Sequence, residues 1–419
     1  MAQLKTWLGV VSALGLLAAC SGSDSAQTPV ASGGSGNSAG AGTGGSPAAA
    51  GSAAMGGSPA AGASAMAGAG GASGPSCTAT AAATTVIGPY AVTADATGNV
   101  YWSNSSDTDP CSNTIMMQAP GGTPTEICKV DQSDAKAGSA NVAKSLALDG
   151  QGNLYYGASY GLYRVKAQAG SAPTKVGTFD GKPTAIVPTA TRIFTSLDLD
   201  NAVQWRSPDP ASSGCTDPVT RPIPVDGESD AQKTARISGG GCAWSESIPN
   251  LVFDSLWLSG KLLVFIDGSN IDAADTTVDA TKQAGHTQIA ATDSFNAISG
   301  LTTIGNTMYF GEATGGIIEK ANVPTEQPAM AVMDAPTVLV TDATLLAPSS
   351  FVNDGKSVFF RTGAAAADSC AVKMMTPTGT VTELAKVDGC GKMNLAVGNK
   401  LVWYTDRAHS LLKSVAIPQ

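Results

Sequence analysis

YAVTADATGNVYWSN at residues 90–104, SLALDGQGNLYY at residues 145–156 and NLAVGNKLVWYTD at residues 394–406 repeat one pattern. A polar residue precedes a short apolar run, a turn with Asp, Gly or Asn follows, and an aromatic pair comes next. Seven copies align on that pair, at Tyr101-Trp102, Tyr155-Tyr156, Ile193-Phe194, Val264-Phe265, Tyr309-Phe310, Phe359-Phe360 and Trp403-Tyr404. A unit repeated at this length indicates one supersecondary element copied around an axis.

The spacing of the copies predicts an all-β fold, a seven-bladed β-propeller. Residues 77–419 give about 49 residues per copy, which suits a blade of four strands. Of the 23 aromatic residues, most fall in the seven pairs, so the pairs mark a structural position. An insertion at residues 206–248 interrupts copies 3 and 4, and six or eight blades remain alternatives.

Turn chemistry and closure support this fold. At Asp95–Asn99 and Asp149–Asn153, Gly and Asn tolerate positive φ and Asp can bond its own turn backbone, which predicts hairpins. The last copy lacks a fourth strand. Thr84–Ile87, which precede the first copy, are predicted to form a strand that belongs to none of the seven copies. We therefore predict that this N-terminal strand completes the last blade and closes the ring.

Two strand phrases resemble known propeller repeats. Tyr101-Trp102-Ser103-Asn104 and Trp403-Tyr404-Thr405-Asp406 resemble the YWTD repeats of lipoprotein-receptor propellers. The form D-x-x-G-N-x-Tyr followed by an aromatic residue also resembles NHL and SMP-30-like propellers. The resemblance covers nearly all of residues 78–417, but propellers include binding proteins, lyases, lactonases and dehydrogenases, so it implies no single activity.

The N-terminus resembles a bacterial lipoprotein signal. Lys5 precedes an apolar stretch, Trp7–Ala18, that is too short to span a bilayer, and Leu17-Ala18-Ala19-Cys20 resembles a lipobox. The resemblance implies a signal peptide at residues 1–19 and acylation of Cys20. An ordinary secretory signal with a chance cysteine is the alternative. Several acyl chains on one residue would anchor the protein stably.

A long polar tract follows the cysteine. Residues 21–76 are almost wholly Gly, Ala and Ser, and Asp24 is their only charge. Such a tract cannot bury a core, so residues 20–76 are predicted to be a disordered linker and residues 77–419 the folded domain. We expect a lipid-anchored protein of the cell envelope, with its propeller in the periplasm or at the cell surface. Ser21 after the cysteine favours the outer membrane over the inner.

Charge excludes one class of partner. The net charge of −9 and the absence of basic clusters argue against nucleic-acid binding.

Seven cysteines besides Cys20 fit an oxidising compartment. Two copies carry cysteines at matching positions, which suggests the disulfides Cys111–Cys128 and Cys370–Cys390. Cys215–Cys242 would then close the insertion, and Cys77 is left over.

Polar residues recur at the start of each first strand and after each aromatic pair. These positions should meet at the mouth of the central channel, where copies 4, 5 and 7 combine an Asn with a carboxylate: Asn250/Asp267, Asn296/Glu312 and Asn394/Asp406. Such oxygens could hold Ca²⁺ or a polyhydroxylated ligand. The alternative is that they cap turns and brace neighbouring strands. The Asp matching Asp406 in YWTD repeats is structural.

Other chemical signals are weak. Gly157–Gly161 matches G-x-S-x-G but links two strands instead of a strand and a helix. The acidic series Asp267, Asp272, Asp275 and Asp279 lacks EF-hand spacing and is interpreted as a solvated loop. His286 and His409, the only histidines, lie in separate copies, which argues against a His-based zinc site or a Ser-His-Asp triad.

These observations favour an envelope lipoprotein whose propeller is a binding or scaffolding module for a protein or glycan. One alternative is a metal-dependent enzyme of lactonase or lyase type that uses the Asn, Asp and Glu positions. Another is a structural envelope subunit without a small ligand. The sequence contains no catalytic constellation and leaves open whether the protein is an enzyme.

Overall fold

The computed structural model describes residues 85–106, 109–132, 141–179, 181–197, 203–209, 251–277, 285–292, 296–332, 335–363, 369–388 and 393–418. In these ranges the chain forms seven antiparallel sheets in sequence order. Apart from a 3₁₀ turn at Pro110–Ser112, the described regular structure is β. Within the same ranges, no helix has the length and hydropathy needed to span a bilayer.

Each sheet is one blade, and its strands follow one another in the chain. Blade 1 consists of β1 (Val92–Ala94), β2 (Val100–Ser103), β3 (Thr114–Gln118) and β4 (Thr125–Lys129). Blade 2 consists of β5 (Ala143–Leu148), β6 (Asn153–Ala158), β7 (Gly161–Lys166) and β8 (Thr174–Thr178). Blade 3 has three described strands, β9 (Pro183–Pro188), β10 (Ile193–Leu197) and β11 (Val203–Arg206).

The second half of the chain repeats this arrangement. Blade 4 consists of β12 (Leu251–Ser259), β13 (Leu262–Asp267), β14 (Asn270–Asp275) and β15 (Thr287–Ala291). Blade 5 consists of β16 (Ile298–Ile304), β17 (Thr307–Glu312), β18 (Ile317–Asn322) and β19 (Thr337–Thr341). Blade 6 consists of β20 (Ser349–Asn353), β21 (Val358–Thr362), β22 (Ser369–Met375) and β23 (Val381–Asp388). Blade 7 has three described strands, β24 (Leu395–Gly398), β25 (Leu401–Asp406) and β26 (Leu411–Ala416).

The seven blades form a closed ring. Each first strand contacts the first strand of the next blade, and β24 contacts β1. The predicted seven-bladed propeller is therefore confirmed, and the alternatives of six and eight blades are excluded.

Every predicted aromatic pair lies on the second strand of its blade. Successive side chains of a strand point to opposite faces, so the two members of a pair enter different cores. Tyr101 lies in the core between blades 1 and 2, whereas Trp102 lies in the core between blades 7 and 1. Phe360 and Phe359 divide in the same way between the cores on either side of blade 6. The repeated pair therefore fills both interfaces of a blade, and each buried ring contributes about 1.5–3 kcal/mol.

The turns between first and second strands match the prediction. The Asp149 carboxylate accepts hydrogen bonds from the backbone N–H groups of Gln151 and Asn153, and the Asn153 amide and Tyr155 hydroxyl also donate to it. Asp95 is bonded in the same way in blade 1. Gly98 and Gly152 adopt positive φ of 93° and 74°. The repeated D-x-x-G-N-x-Tyr sequence is thus a self-satisfied turn.

The predicted closing strand is wrong for its described residues. Thr85, Val86 and Ile87 form no strand, and β26 has no further strand partner among the described residues. The Asn104 side chain explains this, because it accepts from the Ile87 N–H and donates to the Thr85 carbonyl, both at 3.0 Å. The segment is therefore bonded to blade 1. It still lies at the seam between blades 7 and 1, where Val86 packs in the shared core.

The predicted disulfide Cys111–Cys128 is also wrong. Cys128 is a free thiol in the buried core between blades 1 and 2, because the β3–β4 register places it opposite Ile115. Burial raises the pKa of this thiol to about 12, and the charge of Glu126 adds to the effect. Cys111 and Cys370 are each disulfide-bonded. Cys77, Cys215, Cys242 and Cys390 lie outside the described residues, so the pairs Cys370–Cys390 and Cys215–Cys242 stay predictions.

Candidate functional site

The predicted channel mouth is one face of the ring, which we term the upper face. It carries the loops that lead into each first strand and the loops that join each second strand to the third. Because the strands of a blade alternate in direction, these two kinds of loop lie at the same end of the sheet. The described candidate residues all belong to these loops or to the adjoining strand ends.

Polar side chains on this face join one blade to the next. In each case a hydroxyl or amide donates to a backbone carbonyl at the start of the following blade. The described bonds are Ser103 Oγ to Ala143 at 2.7 Å, Ser145 Oγ to Pro183 at 3.2 Å, Ser299 Oγ to Pro348, Ser350 Oγ to Met393 at 3.0 Å, and Asn394 Nδ2 to Tyr90 at 2.7 Å. These bonds add side-chain donors to backbone carbonyls where the blades converge.

Other residues of the predicted channel-mouth positions bond within their own blade. The hydroxyls of Thr184 and Ser196 lie 3.0 Å apart in blade 3. In blade 6, the Arg361 Nε–H donates to Ser349 Oγ at 2.8 Å. At the start of the first strands, Ser145 and Asn394 therefore bond to the next blade, whereas Thr184 and Ser349 bond within their own.

The structure brings together one of the three predicted Asn–carboxylate pairs. Asn296 Nδ2 donates to Glu312 Oε2 at 2.8 Å, and Glu312 is buried. Asn250 lies outside the described residues, which leaves its pairing with Asp267 a prediction. Asp267 ends β13, opposite Asn270 in the hairpin.

Asn394 and Asp406 have separate partners. Asn394 bonds to Tyr90 across the seam, whereas the Asp406 carboxylate accepts from Lys413 Nζ and His409 Nδ1, both at 2.9 Å. Burial raises the pKa of the Asp406 carboxyl, but the hydrogen bonds from Lys413 and His409 outweigh it and hold the pKa below its ordinary value. Asp406 therefore fixes the hairpin between β25 and β26, as the structural interpretation predicts.

The same hairpin presents groups that sequence reasoning missed. The side chain of His409 is 51% exposed although its Nδ1 is held by the buried Asp406 carboxylate. Leu411 is half-exposed, and the Arg407 guanidinium lies over the Tyr90 ring at 5.1 Å from its centroid. The sequence signal was the proximity of Asp406 and His409 around a hairpin turn. We term residues 407–411 the upper-face hairpin.

The interpretation of Asp267, Asp272 and Asp275 as a solvated loop is wrong. These residues lie on the hairpin β13–β14, and Asp272 is buried beside His286. Asp279 lies outside the described residues. The fold brings His286 to Asp272 because β14 and β15 are neighbours in the sheet.

The described residues do not contain a group of three or more His, Cys, Asp or Glu side chains that could hold a metal ion. Calcium takes six to eight oxygen ligands, including amide oxygens. In the Asn296–Glu312 pair, the carboxylate oxygen Oε2 already accepts the amide hydrogen bond. The pair by itself falls far short of a calcium site.

Comparison with known proteins supports the fold. No family model matches the sequence, and no curated protein matches it. Virginiamycin B lyase from Staphylococcus aureus is similar in structure, with 15% identity, a TM-score of 0.52, and coverage of 80% of this chain and 96% of that one. Hydrazine synthase from Kuenenia stuttgartiensis is 12% identical, with a TM-score of 0.50 and coverage of 80% and 97%.

An enzyme with a propeller region gives a third similarity. Puromycin hydrolase is 12% identical with a TM-score of 0.50, over 79% of this chain and 53% of that one. At these identities the likeness concerns the β-propeller fold, which hosts both binding proteins and enzymes.

Proposed function

We propose that this protein is a lipid-anchored envelope protein whose propeller binds a protein or glycan partner. The observation that carries the proposal is the set of blade-to-blade hydrogen bonds on the upper face. Because these bonds hold neighbouring blades together and engage Asn394, one of the side chains predicted to bind a ligand, the propeller is better suited to act as a rigid scaffold. Recognition would then fall to exposed loops.

The upper-face hairpin is the part of the described surface that best suits recognition. Its cationic, aromatic and apolar groups are held in place by Asp406 and Tyr90 and remain accessible. Preorganised groups lose little conformational entropy when a partner binds. Arg and aromatic side chains are also enriched among the residues that dominate binding energy.

The anchor is supported by the sequence around Cys20. The lipobox-like Leu17–Cys20 and the Gly/Ala/Ser-rich residues 21–76 fit a lipid-anchored protein on a flexible tether. We propose a location in the cell envelope, at the outer membrane rather than the inner. The acidic net charge and the tether both suit a domain that works at a distance from the membrane surface.

Substitution of the upper-face hairpin tests the binding proposal. We expect His409→Ala combined with Leu411→Ser to reduce retention of an envelope protein or glycan at least about tenfold, since loss of central contacts often costs more than 1.4 kcal/mol. The measurement compares capture from envelope extracts, and binding to a glycan array, by the full-length wild type and variant. Lys356→Ala, at an exposed turn on the opposite face, is the matched control and should bind as wild type. Equal retention by all three proteins, or none, would contradict the proposal and favour the structural subunit.

A metal-dependent lactonase or lyase is the second candidate function. The observation that favours it is the Asn296–Glu312 pair, which places a buried carboxylate and an amide together on the upper face. In this alternative the pair would contribute oxygens to a divalent cation, with Asn250 and Asp267 from blade 4.

A further inference from the structure

We propose that the Asp272–His286 pair of blade 4 makes the packing between blades 3 and 4 pH-responsive. Asp272 lies on β14, and His286 directly precedes β15. His286 Nε2 is 3.4 Å from Asp272 Oδ2, and Asp272 is only 4% exposed. The pair is thus a buried titratable contact, unlike the turn carboxylates Asp95 and Asp149.

The pair faces the core that joins the two blades. Asp272 is the cross-strand partner of Phe265, so the two side chains share one face of blade 4. Phe265 packs with Phe194 and Trp205 of blade 3. The His286 ring meets Phe265 edge-on, with centroids 5.8 Å apart. A change in charge at this pair therefore acts on the contact between blades 3 and 4.

The hydrogen-bonding groups of the Asp272–His286 pair are incompletely satisfied. Asp272 Oδ1 and His286 Nδ1 are both buried and have no hydrogen-bond partner among the residues that the structure describes. A buried polar atom without a partner is destabilising, and more so when it belongs to a charged group. The negatively charged form of Asp272 therefore destabilises the folded protein, and protonation of the carboxylate relieves this destabilisation.

The charged surroundings determine how the pair titrates. Burial raises the pKa of the Asp272 carboxyl to about 6, the positive form of His286 opposes this rise, and Asp267 on β13 adds to it. On the blade 3 side, the described cationic group is Arg192, whose guanidinium lies over Trp205 and donates to the Thr276 carbonyl at 2.9 Å.

The direction of the pH effect follows from this shift. The pKa of Asp272 in the folded protein exceeds its ordinary value of 3.8, so the folded chain holds a proton that the unfolded chain releases. The stabilisation is present below pH 3.8 and is lost as the pH rises to about 6. The contact between blades 3 and 4 is consequently tightest below pH 3.8 and weakest above about pH 6.

Replacement of the carboxyl by an amide tests this inference. In the full chain, Asp272→Asn should raise the melting temperature at pH 7.5 by roughly 2–6 °C, and the gain should shrink towards zero at pH 4.5. Asp149→Asn is the matched control. Burial raises the pKa of Asp149, but hydrogen bonds from Asn153 outweigh it and hold the pKa below its ordinary value. The control should therefore be less stable than wild type at pH 7.5 and approach it as the pH falls below 4.

Carboxyl ¹³C NMR of the wild type provides a readout that does not depend on the stability of a variant. The side-chain carboxyl signal of Asp272 is assigned through the backbone and followed against pH. We expect it to shift near pH 6, whereas a carboxyl with its ordinary pKa shifts near 3.8. An Asp272 signal that shifts near pH 3.8, or an Asp272→Asn effect on melting that is the same at every pH, would overturn the inference. If Asp272→Asn does not fold, the wild-type Asp272 signal alone decides between these results.

Discussion

Asn394→Ala should lower the free energy of unfolding by about 1–3 kcal/mol, the cost of leaving a buried carbonyl without its hydrogen bond. The Asn394 amide donates to the Tyr90 carbonyl at 2.7 Å, across the seam between blades 7 and 1. Blades 7 and 1 are not consecutive in the chain, unlike the blades at the other junctions, so this side chain has a larger share in closing the ring here. Chemical denaturation measures the loss.

Two variants separate this effect from a generic loss of polar contacts. Ser350→Ala removes the equivalent bond to Met393 between blades 6 and 7, which the chain also joins covalently, and should cost less than Asn394→Ala. Asn322→Ala changes an exposed asparagine at the end of β18 and should leave stability unchanged. An Asn394→Ala protein as stable as the Asn322→Ala protein would show that the seam does not depend on this hydrogen bond.

Cys20→Ser should move the protein completely from the membrane fraction to the soluble fraction. Serine has no thiol for diacylation, and the rest of the chain offers no long apolar segment to replace the anchor. Incorporation of a labelled fatty acid and fractionation of cells measure the two consequences together. Ser21→Ala, which leaves Cys20 intact, is the control and should take up the label as the wild type does.

The outcome for Cys20→Ser distinguishes the lipoprotein from an ordinary secreted protein. If the variant stays in the membrane fraction, or if the wild type takes up no fatty acid, then the lipobox interpretation is wrong. The propeller would in that case be attached by a partner or not attached at all.

The propeller fold could be predicted from the repeat pattern because the aromatic pair packs on both faces of each blade. An aromatic pair on a second strand fills two cores at once, as Tyr101 and Trp102 show, so the physical constraint recurs in every copy. The turn sequence at Asp149 was equally predictable, since its hydrogen bonds lie within five residues. Local constraints of this kind are visible in a single sequence.

Longer-range choices could not be predicted in the same way. Thr85–Ile87 have strand-like composition, but the Asn104 side chain, almost twenty residues away, occupies their backbone groups. The position of Cys128 in the sequence suggested a disulfide, but the register of β3 and β4 places its thiol in a buried core. Asp272 was predicted to be solvated because nothing near it in the sequence indicates that it pairs across the sheet with the buried Phe265.

The candidate site likewise combines features that could be predicted from the sequence with features that could not. The positions of Asn296, Glu312, Asn394 and Asp406 were predicted from the repeat, and so was the pairing of Asn296 with Glu312, but the partners of Asn394 and Asp406 were not. Whether an amide faces a ligand or a neighbouring blade depends on the distance between blades, which the repeat pattern does not encode.

Thermal melting of the purified protein in calcium and in chelator tests the central claim most directly. If the polar side chains of the upper face hold blades together and bind no metal, then the two melting curves should superimpose. The Glu312→Gln variant should likewise give identical curves in the two solutions. A rise of several degrees in calcium that Glu312→Gln abolishes would contradict the account and identify the upper face as a metal site.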